Sequence, residues 1–374
     1  MKFLHQGISI GKQIAKSLLL PYVYYPIARN FSNEYLDISE EQAREVLMAF
    51  SPKPNGSISA QNTLKSSPKH DLQIIIPAYN EEKHLRECIE SVLNQKTQYS
   101  FQIVLIDDGS SDRTGEMADS YASEQMKVIH QNNKGFSGAR NTGLSVIDAK
   151  YIMFVDSDDR MTDGAIEALM SVAEEHDADV VQGGYYRQVG DQFCEPQRFP
   201  RKKVINAAGL YGQPWGKVFR SDLWEKLCFP EGYWFEDTIL PFLVYTRVKE
   251  AWLVDKIVYI YRDNPKGITK TAAKKVKSID TYWVTEKVME ECALRNLSLN
   301  ESYLRRYCRQ VALNGHRVRN MPIEIKHAVF ILMCGLYEKY FSDFGTDRKY
   351  ADLQKALKKR NFGLYQLYSK AKRW

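Results

Sequence analysis

Four nearly uninterrupted apolar runs constrain this chain more than any other feature: "LQIII" (72–76), "FQIVLI" (101–106), "YIMFV" (151–155) and "ADVV" (178–181). A strand with one wet face alternates apolar and polar residues, whereas a run without alternation suits a strand buried on both faces. Between the runs the period changes. Leu85, Cys88, Ile89, Val92 and Leu93 recur at i, i+3, i+4, i+7 and i+8, and "GARNTGLSVIDA" (138–149) and "GAIEALMSVAEEH" (164–176) also read as helices. Alternating strands and helices predict an α/β domain: a mostly parallel sheet flanked by helices. With 374 residues, 44% of them hydrophobic, the chain can bury such a core and carry additions.

In a sheet of this kind ligands bind beyond the carboxyl ends of the strands. Three runs end there in polar clusters: "IIIPAYNEE", "IDDGSSD" and "FVDSDD". The last sets Asp156, Asp158 and Asp159 within four positions. Like charges this close repel, so a hard divalent cation is the expected counterweight. In "PAYN", Pro77 stiffens the turn and Tyr79 offers a ring and a hydroxyl that could flank a base or ribose. Taken singly, "DDGS" reads equally as a turn into a helix.

Together, "IIIPAYNEEKHLRECIESVLNQ", "IVLIDDGSSDRT", "NKGFSGARNTGL" and "YIMFVDSDD" resemble the successive blocks of family 2 glycosyltransferases with the GT-A (Rossmann-like) fold. The likeness runs from Leu72 to Asp159, with weaker blocks to Arg262. It implies an inverting enzyme that takes a sugar from a nucleoside diphosphate donor, a UDP-sugar being expected, with Mn²⁺ or Mg²⁺. Pro77, Ala78, Tyr79 and Glu81 match the nucleoside-binding loop. Asp108 matches the carboxylate at the base, and Arg140 a segment that closes over the nucleotide. Asp156 and Asp158 match the D-x-D pair, with Ser157 between them. Asp158 is then the direct metal ligand, Asp156 lies nearer the ribose or a bridging water, and Asp159 stands beside them.

The resemblance also implies a base for the acceptor hydroxyl. "FPEGYWFEDTIL" (229–240) matches the block that carries it, which assigns Asp237 as base and Glu236 as its neighbour at the acceptor subsite. Without the other blocks, "ED" reads as the acidic first turn of a helix. In "PWGKVFRSDLW" (214–224), Trp215 could stack on a sugar or pack in the core, and Lys217 could meet an anionic group. In "YIYRDNPKGITKT", Arg262 and Lys266 are candidates for the diphosphate. Two other readings stay open: a non-catalytic nucleotide-sugar binding subunit of a polysaccharide assembly, and a nucleotidyltransferase. The second would want a phosphate loop such as G-x-x-x-x-G-K-[ST], and the sequence contains none.

Outside the blocks, residues 1–70 read as a helical extension and linker, 71–266 as the catalytic domain and 267–374 as a helical region. Leu4, Ile8, Ile14 and Leu18, interleaved with lysines, suit either an interfacial helix or a packed one. "SEEQ" (39–42) announces a capped helix, and "SPKPNGSISAQNTLKSSPKH" (51–70) reads as linker. "AVFILMCGLY" is too short to span a bilayer. Six cysteines at wide spacings suit reduced thiols in a cytoplasmic protein. The late clusters "KKVK", "KKR" and "KAKRW" suit a solvated helix face first, or contact with anionic lipid or nucleic acid, and the aromatic and basic tail suits a lipid-linked glycan acceptor or an anionic polymer, with peripheral membrane contact. No nucleic-acid partner is expected, and the sequence is silent on oligomeric state.

Overall fold

A computed structural model describes residues 38–62, 65–207, 209–265, 267–272 and 275–371. The amphipathic segment proposed for the first thirty residues lies outside them. The described residues form two compact units, one within 54–271 and 283–296, the other within 38–53, 272–282 and 297–371.

The larger unit is a ten-stranded sheet with helices. Its first part alternates β1 (His70–Ala78), α2 (Leu85–Leu93), β2 (Phe101–Asp107), α3 (Thr114–Asp119), β3 (Met126–His130), α4 (Gly135–Ser145) and β4 (Ala149–Phe154). α1 (Glu40–Phe50) precedes them in the chain and belongs to the other unit. There follow β5 (Arg160–Met161), α5 (Ala165–Glu175), β6 (Val180–Val189), β7 (Gln192–Phe193), β8 (Lys202–Val204), β9 (Lys217–Arg220) and β10 (Ala251–Arg262). The strand order is β3-β2-β1-β4-β9-β6-β10-β5, with β7 on β6 and β8 on β10. β3, β2, β1 and β4 are mutually parallel, as are β6 and β10, while β9 runs antiparallel between β4 and β6. The sheet is therefore mixed, with a parallel half where the apolar runs predicted one.

β1 explains that half. Ile74, Ile75 and Ile76 are fully buried, so successive side chains enter the core on both faces. Each such burial is worth about 1.5–3 kcal/mol. β1 pairs β2 on one side and β4 on the other, with Ala78 opposite Asp107 and Ile75 opposite Phe154. The chain order reverses at β1, and three carboxyl ends open on one edge at that reversal. α4 packs against β1 closely because it carries glycines: a Cβ on Gly143 would lie 2.4 Å from Ile75.

Residues 54–62 and 65–69, read from the sequence as linker, are a strap of the sheet unit. Ile58 is fully buried, its carbonyl accepts from Cys228 N–H at 2.8 Å, and Asn62 Nδ2 donates to Trp224 O at 2.9 Å. The Tyr233 hydroxyl donates to Pro54 O at 2.5 Å. The boundary thus falls at 53/54 rather than near 70. Ser, Pro and Asn permit a flexible linker, yet they serve equally as partners for a neighbouring chain segment.

In the smaller unit, α1 opens with the expected capping box: Gln42 N–H donates to Ser39 Oγ at 3.1 Å, and Ser39 N–H to Gln42 Oε1 at 2.9 Å. α6 (Asp280–Leu294) is divided between the two units at 282/283, and α7 (Glu301–Arg317), α8 (Ile323–Phe341), α9 (Ala351–Lys358) and α10 (Phe362–Ala371) belong to this one. α8 contains the run "AVFILMCGLY" and buries it, as expected of a core helix. No helix among the described residues is long and apolar enough to cross a membrane. None of the six cysteines is in a disulfide, and four of them are buried.

Candidate functional site

At the carboxyl edge the loops after β1 and β2 are laced together. Asn80, in the left-handed region at φ 51°, donates its N–H to Ser110 Oγ at 3.0 Å, and its Oδ1 accepts from Ser111 N–H at 2.8 Å. Glu81 N–H donates to Thr114 Oγ1 at 2.7 Å. Pro77 and Ala78 end β1, and Tyr79 stands half exposed beyond them. The Glu81 carboxylate is paired with His84 Nδ1. Asp108 is buried: its N–H donates to Ala78 O at 2.9 Å, while its Oδ1 accepts from Gln131 Nε2 at 2.6 Å and Lys134 N–H at 2.9 Å. One residue thus ties the end of β1, through its backbone N–H, to the start of α4, through its carboxylate.

Its neighbour Asp107 holds His130. Asp107 Oδ2 lies 2.8 Å from Nδ1 and Asp119 Oδ1 lies 2.9 Å from Nε2, an arrangement that favours the imidazolium, which donates from both nitrogens. The bonds to Asp119 and then Asp107 raise the His130 pKa. A group with a raised folded pKa contributes fully below its unfolded value, about 6.5, and that contribution fades as pH climbs through the folded value. The stability lost by His130→Gln should therefore be largest below about pH 6.5 and shrink as pH rises above it, in urea titrations of both proteins. A pH-independent difference would exclude the imidazolium.

The turn after β4 holds the three acids. Val155 N–H donates to Ile75 O at 3.1 Å, Asp156 N–H to the Tyr259 hydroxyl at 3.1 Å, and Asp159 N–H to Asp156 O at 3.0 Å, closing the turn around buried Ser157. Burial, then the charges of Asp156 and Glu81, push the Asp158 carboxyl up to about 6. Burial, then Asp158 and Asp156, push Asp159 well up, although Arg262 N–H donates to its Oδ1 at 2.6 Å. Upward shifts of this kind mark carboxylates without enough positive charge beside them, the situation a divalent cation relieves.

Arg140 joins this turn to the "FED" segment. It is buried on α4, and its guanidinium donates to Asp156 Oδ1 at 2.7 Å and to Glu236 Oε1 at 2.5 Å. Phe136 and Phe229 flank it with ring centroids at 5.8 and 5.5 Å. The next residue, Asn141, fixes the same segment by its backbone: Nδ2 donates to Phe229 O at 2.9 Å, and Oδ1 accepts from Phe229 N–H at 2.8 Å. Glu236 and Asp237 lie in a single 3₁₀ turn, Glu236–Thr238, entered through Phe235 at φ 64°. A left-handed Phe costs of order 1–3 kcal/mol and persists only where the surroundings hold it. Burial pushes the Glu236 carboxyl up against the pull of Arg140, with Asp237 and Asp156 adding to the rise. Asp237 is partly buried.

Other expected residues are placed differently. Trp215 is 5% exposed, stacked on Tyr259 at 4.6 Å and on Tyr261 at 5.5 Å, with Tyr185 edge-on at 5.0 Å. Of its two readings, core packing is the one the geometry supports. The half-buried rings outside it, Tyr185 and Tyr261, escaped notice because alternate tyrosines along a strand read as ordinary β-sheet residues. Lys217 is fully buried, and its ammonium donates to Tyr211 O at 2.8 Å, Gln213 O at 2.9 Å and the Tyr245 hydroxyl at 3.1 Å. Burial pushes its pKa well down, opposed by the Asp237 charge. Its donors are used within the protein rather than offered to an acceptor. Arg262 turns back on the acidic turn, donating from Nε to Asp158 O at 2.9 Å and pairing with Glu87. Lys266 lies outside the described residues. Sequence reasoning missed Asn141 and the Arg140 bridge, since "GARN" carries no local sign of either partner.

The described residues also contain a depression of about 200 Å³, lined by Lys65, Asp148, Lys150 and Arg220 among others. It lies at the start of β4, at the opposite end of that strand from the acids.

Comparisons with known proteins bear on the family and the fold. A family model described as glycosyl transferase family 2 matches residues 73–223. EpsJ of Bacillus subtilis, described as an uncharacterized glycosyltransferase, is 33% identical over 221 residues, covering 54% of this chain and 64% of the relative. Glycosyltransferase GlyG of Streptococcus pneumoniae is 30% identical over 250 residues, 61% of this chain and 83% of GlyG. TarS of Staphylococcus aureus, a poly(ribitol-phosphate) beta-N-acetylglucosaminyltransferase, is 26% identical over 242 residues, covering 41% of its length. The crystal structure of TarS 1-349 with UDP-GlcNAc superposes with a TM-score of 0.66 at 20% identity, covering 80% of this chain and 91% of that one, a likeness of fold.

Proposed function

Because the chain belongs to the family 2 glycosyltransferases and has their GT-A fold, we propose that it transfers a sugar from a UDP-sugar to a hydroxyl of a cell-surface glycan polymer, with inversion. The observation that carries this reading is the Arg140 bridge. It holds Asp156 of the donor-side turn and Glu236 of the base segment on one guanidinium, so both halves of a transfer site share one edge.

In this reading Pro77, Ala78, Tyr79, Glu81 and Asp108 receive the nucleoside, and Asp156 and Ser157 face the ribose and diphosphate. Asp237 takes the acceptor proton as the hydroxyl attacks the anomeric carbon. A single base and no enzyme nucleophile give inversion. Mg²⁺ or Mn²⁺ held by Asp158 with Asp156 would neutralise charge on the departing diphosphate. Among the described residues no three His, Cys, Asp or Glu side chains form a metal cage, so most of the cation's ligands would come from donor and solvent. The TarS structure was solved with UDP-GlcNAc, which supports an N-acetylhexosamine donor here. TarS is named for a ribitol-phosphate polymer, and a polymer acceptor, for a cell-wall or capsule polysaccharide, follows the same line.

The test is nucleoside diphosphate release from UDP-, GDP- and dTDP-sugars with Mn²⁺ or Mg²⁺, repeated with EDTA. Release of UDP alone, abolished by EDTA and restored by metal, is expected. Undiminished release in EDTA would remove the metal, and binding without turnover across candidate acceptors would point instead to a nucleotide-sugar binding subunit.

A further inference from the structure

Two residues of the base segment stand in the left-handed region, Gly232 at φ 83° and Phe235 at φ 64°. Glycine adopts that conformation freely, whereas a left-handed Phe persists only where the chain around it is held. Downstream of Phe235 the hold is Glu236, bound to Arg140. Upstream it is Tyr233, 1% exposed, whose hydroxyl reaches past its own segment to Pro54 O in the strap.

The strap grips the segment at further points. Cys228 N–H donates to Ile58 O at 2.8 Å, and the Cys228 thiol to Ser57 O at 3.4 Å. Gly56 meets Glu231 so closely that a Cβ there would lie 2.1 Å from Glu231 O. Two backbones touch at that place, and only glycine leaves room for both. From α4, Asn141 Nδ2 also reaches Glu231 Oε1 at 3.2 Å. Residues 228–233 are therefore fixed by the strap and by α4 before the chain enters the strained turn that carries Glu236 and Asp237.

We propose that the strap is a positioning device for the transfer, in which residues 54–58, acting through Gly56 and Tyr233, set where Asp237 stands relative to the donor-side turn. The proposal rests on Asp237 as the base. A base must lie within hydrogen-bond reach of the attacking hydroxyl, and a misplacement of about 1 Å can cost about 10²-fold in rate. Asp237 follows Tyr233 by four positions, so a shift of the tyrosine is carried into the turn. Because the tether is buried, water is poorly placed to replace it.

The test compares the full chain with Tyr233→Phe, which removes only the hydroxyl, and with Gly56→Ala, which forces the strap and the segment apart. Ser59→Ala is the control, since the Ser59 hydroxyl holds the strap to Glu291 at 2.7 Å and not to the base segment. Hydrogen exchange read by mass spectrometry should quicken at least about tenfold in peptides covering 228–238 of both test variants, and stay as wild type in those covering 72–78 and 101–107. With donor and acceptor, kcat should fall about 10–100-fold at unchanged donor KM and full UDP-binding stoichiometry. The acid limb of the pH–kcat profile, which reports the base, should move by at least about half a unit. Folded Tyr233→Phe protein with wild-type kcat, with an unmoved pH profile, or with wild-type exchange in 228–238 would overturn the proposal. So would an equal loss in Ser59→Ala, which would mark general loosening of the strap. If Gly56→Ala does not fold, Tyr233→Phe decides alone. Wild-type protein that turns over no donor would instead remove the transferase reading, and the exchange comparison would still report whether the strap holds the segment.

Discussion

Asp237→Asn should lower kcat by about 10²–10⁴ while leaving the KM for the nucleotide-sugar nearly unchanged. The amide keeps the shape of the 3₁₀ turn Glu236–Thr238 but cannot accept the acceptor's proton. The donor-side residues Asp156, Asp158 and Asp108 sit on other strands' ends and keep their partners, so binding of the donor should survive. Steady-state kinetics with saturating donor and a chosen acceptor decide the matter. Near-wild-type turnover by the variant would move the base elsewhere, Glu236 being the adjacent carboxylate.

The second large effect is structural. Arg140→Met should destabilise the protein by about 3–5 kcal/mol, because it leaves two carboxylates facing each other in a buried site without their shared cation. The Arg140 side chain is 7% exposed, that of Glu236 11% and that of Asp156 27%, so solvent can replace little of what is lost. Arg140→Lys keeps the charge but not the fork, and should restore part of the stability and less of the activity. Urea titration with an unchanged m-value is the measurement. A loss below about 1 kcal/mol would mean that the two acids find other partners.

These expectations differ in how readily the chain announced them. β1, β2 and β4 were legible because burial on both faces leaves an unbroken apolar run, and the acids at their ends were legible because three clusters at equivalent places are hard to obtain otherwise. α8 and the Ser39 cap were legible because helix periodicity and capping are local. The insertion of antiparallel β9 between β4 and β6 was not, since a short run such as Lys217–Arg220 says nothing about which strands will flank it. Lys217 itself read as a cation that could meet an anionic group. Its burial depends on carbonyls of Tyr211 and Gln213 and a hydroxyl from Tyr245, which only the folded chain collects. The strap, 54–62 and 65–69, was hidden for the same reason, one buried Ile58 among many polar residues.

The glycines of α4 have a consequence for the order of assembly. Gly138 and Gly143 fall inside the eleven-residue α4, each costing about 1 kcal/mol of helix propensity relative to Ala, while Gly135 opens it at φ 74°. A helix so composed has little reason to exist alone in water. It becomes stable where Gly143 can settle onto Ile75, and that surface appears only after β1 has paired with its neighbours. Arg140 and Asn141 ride on this helix. The carboxylate turn and the base segment are therefore brought into register late, by an element that the finished sheet calls into being, and a chain arrested before that step would carry every site residue without a site.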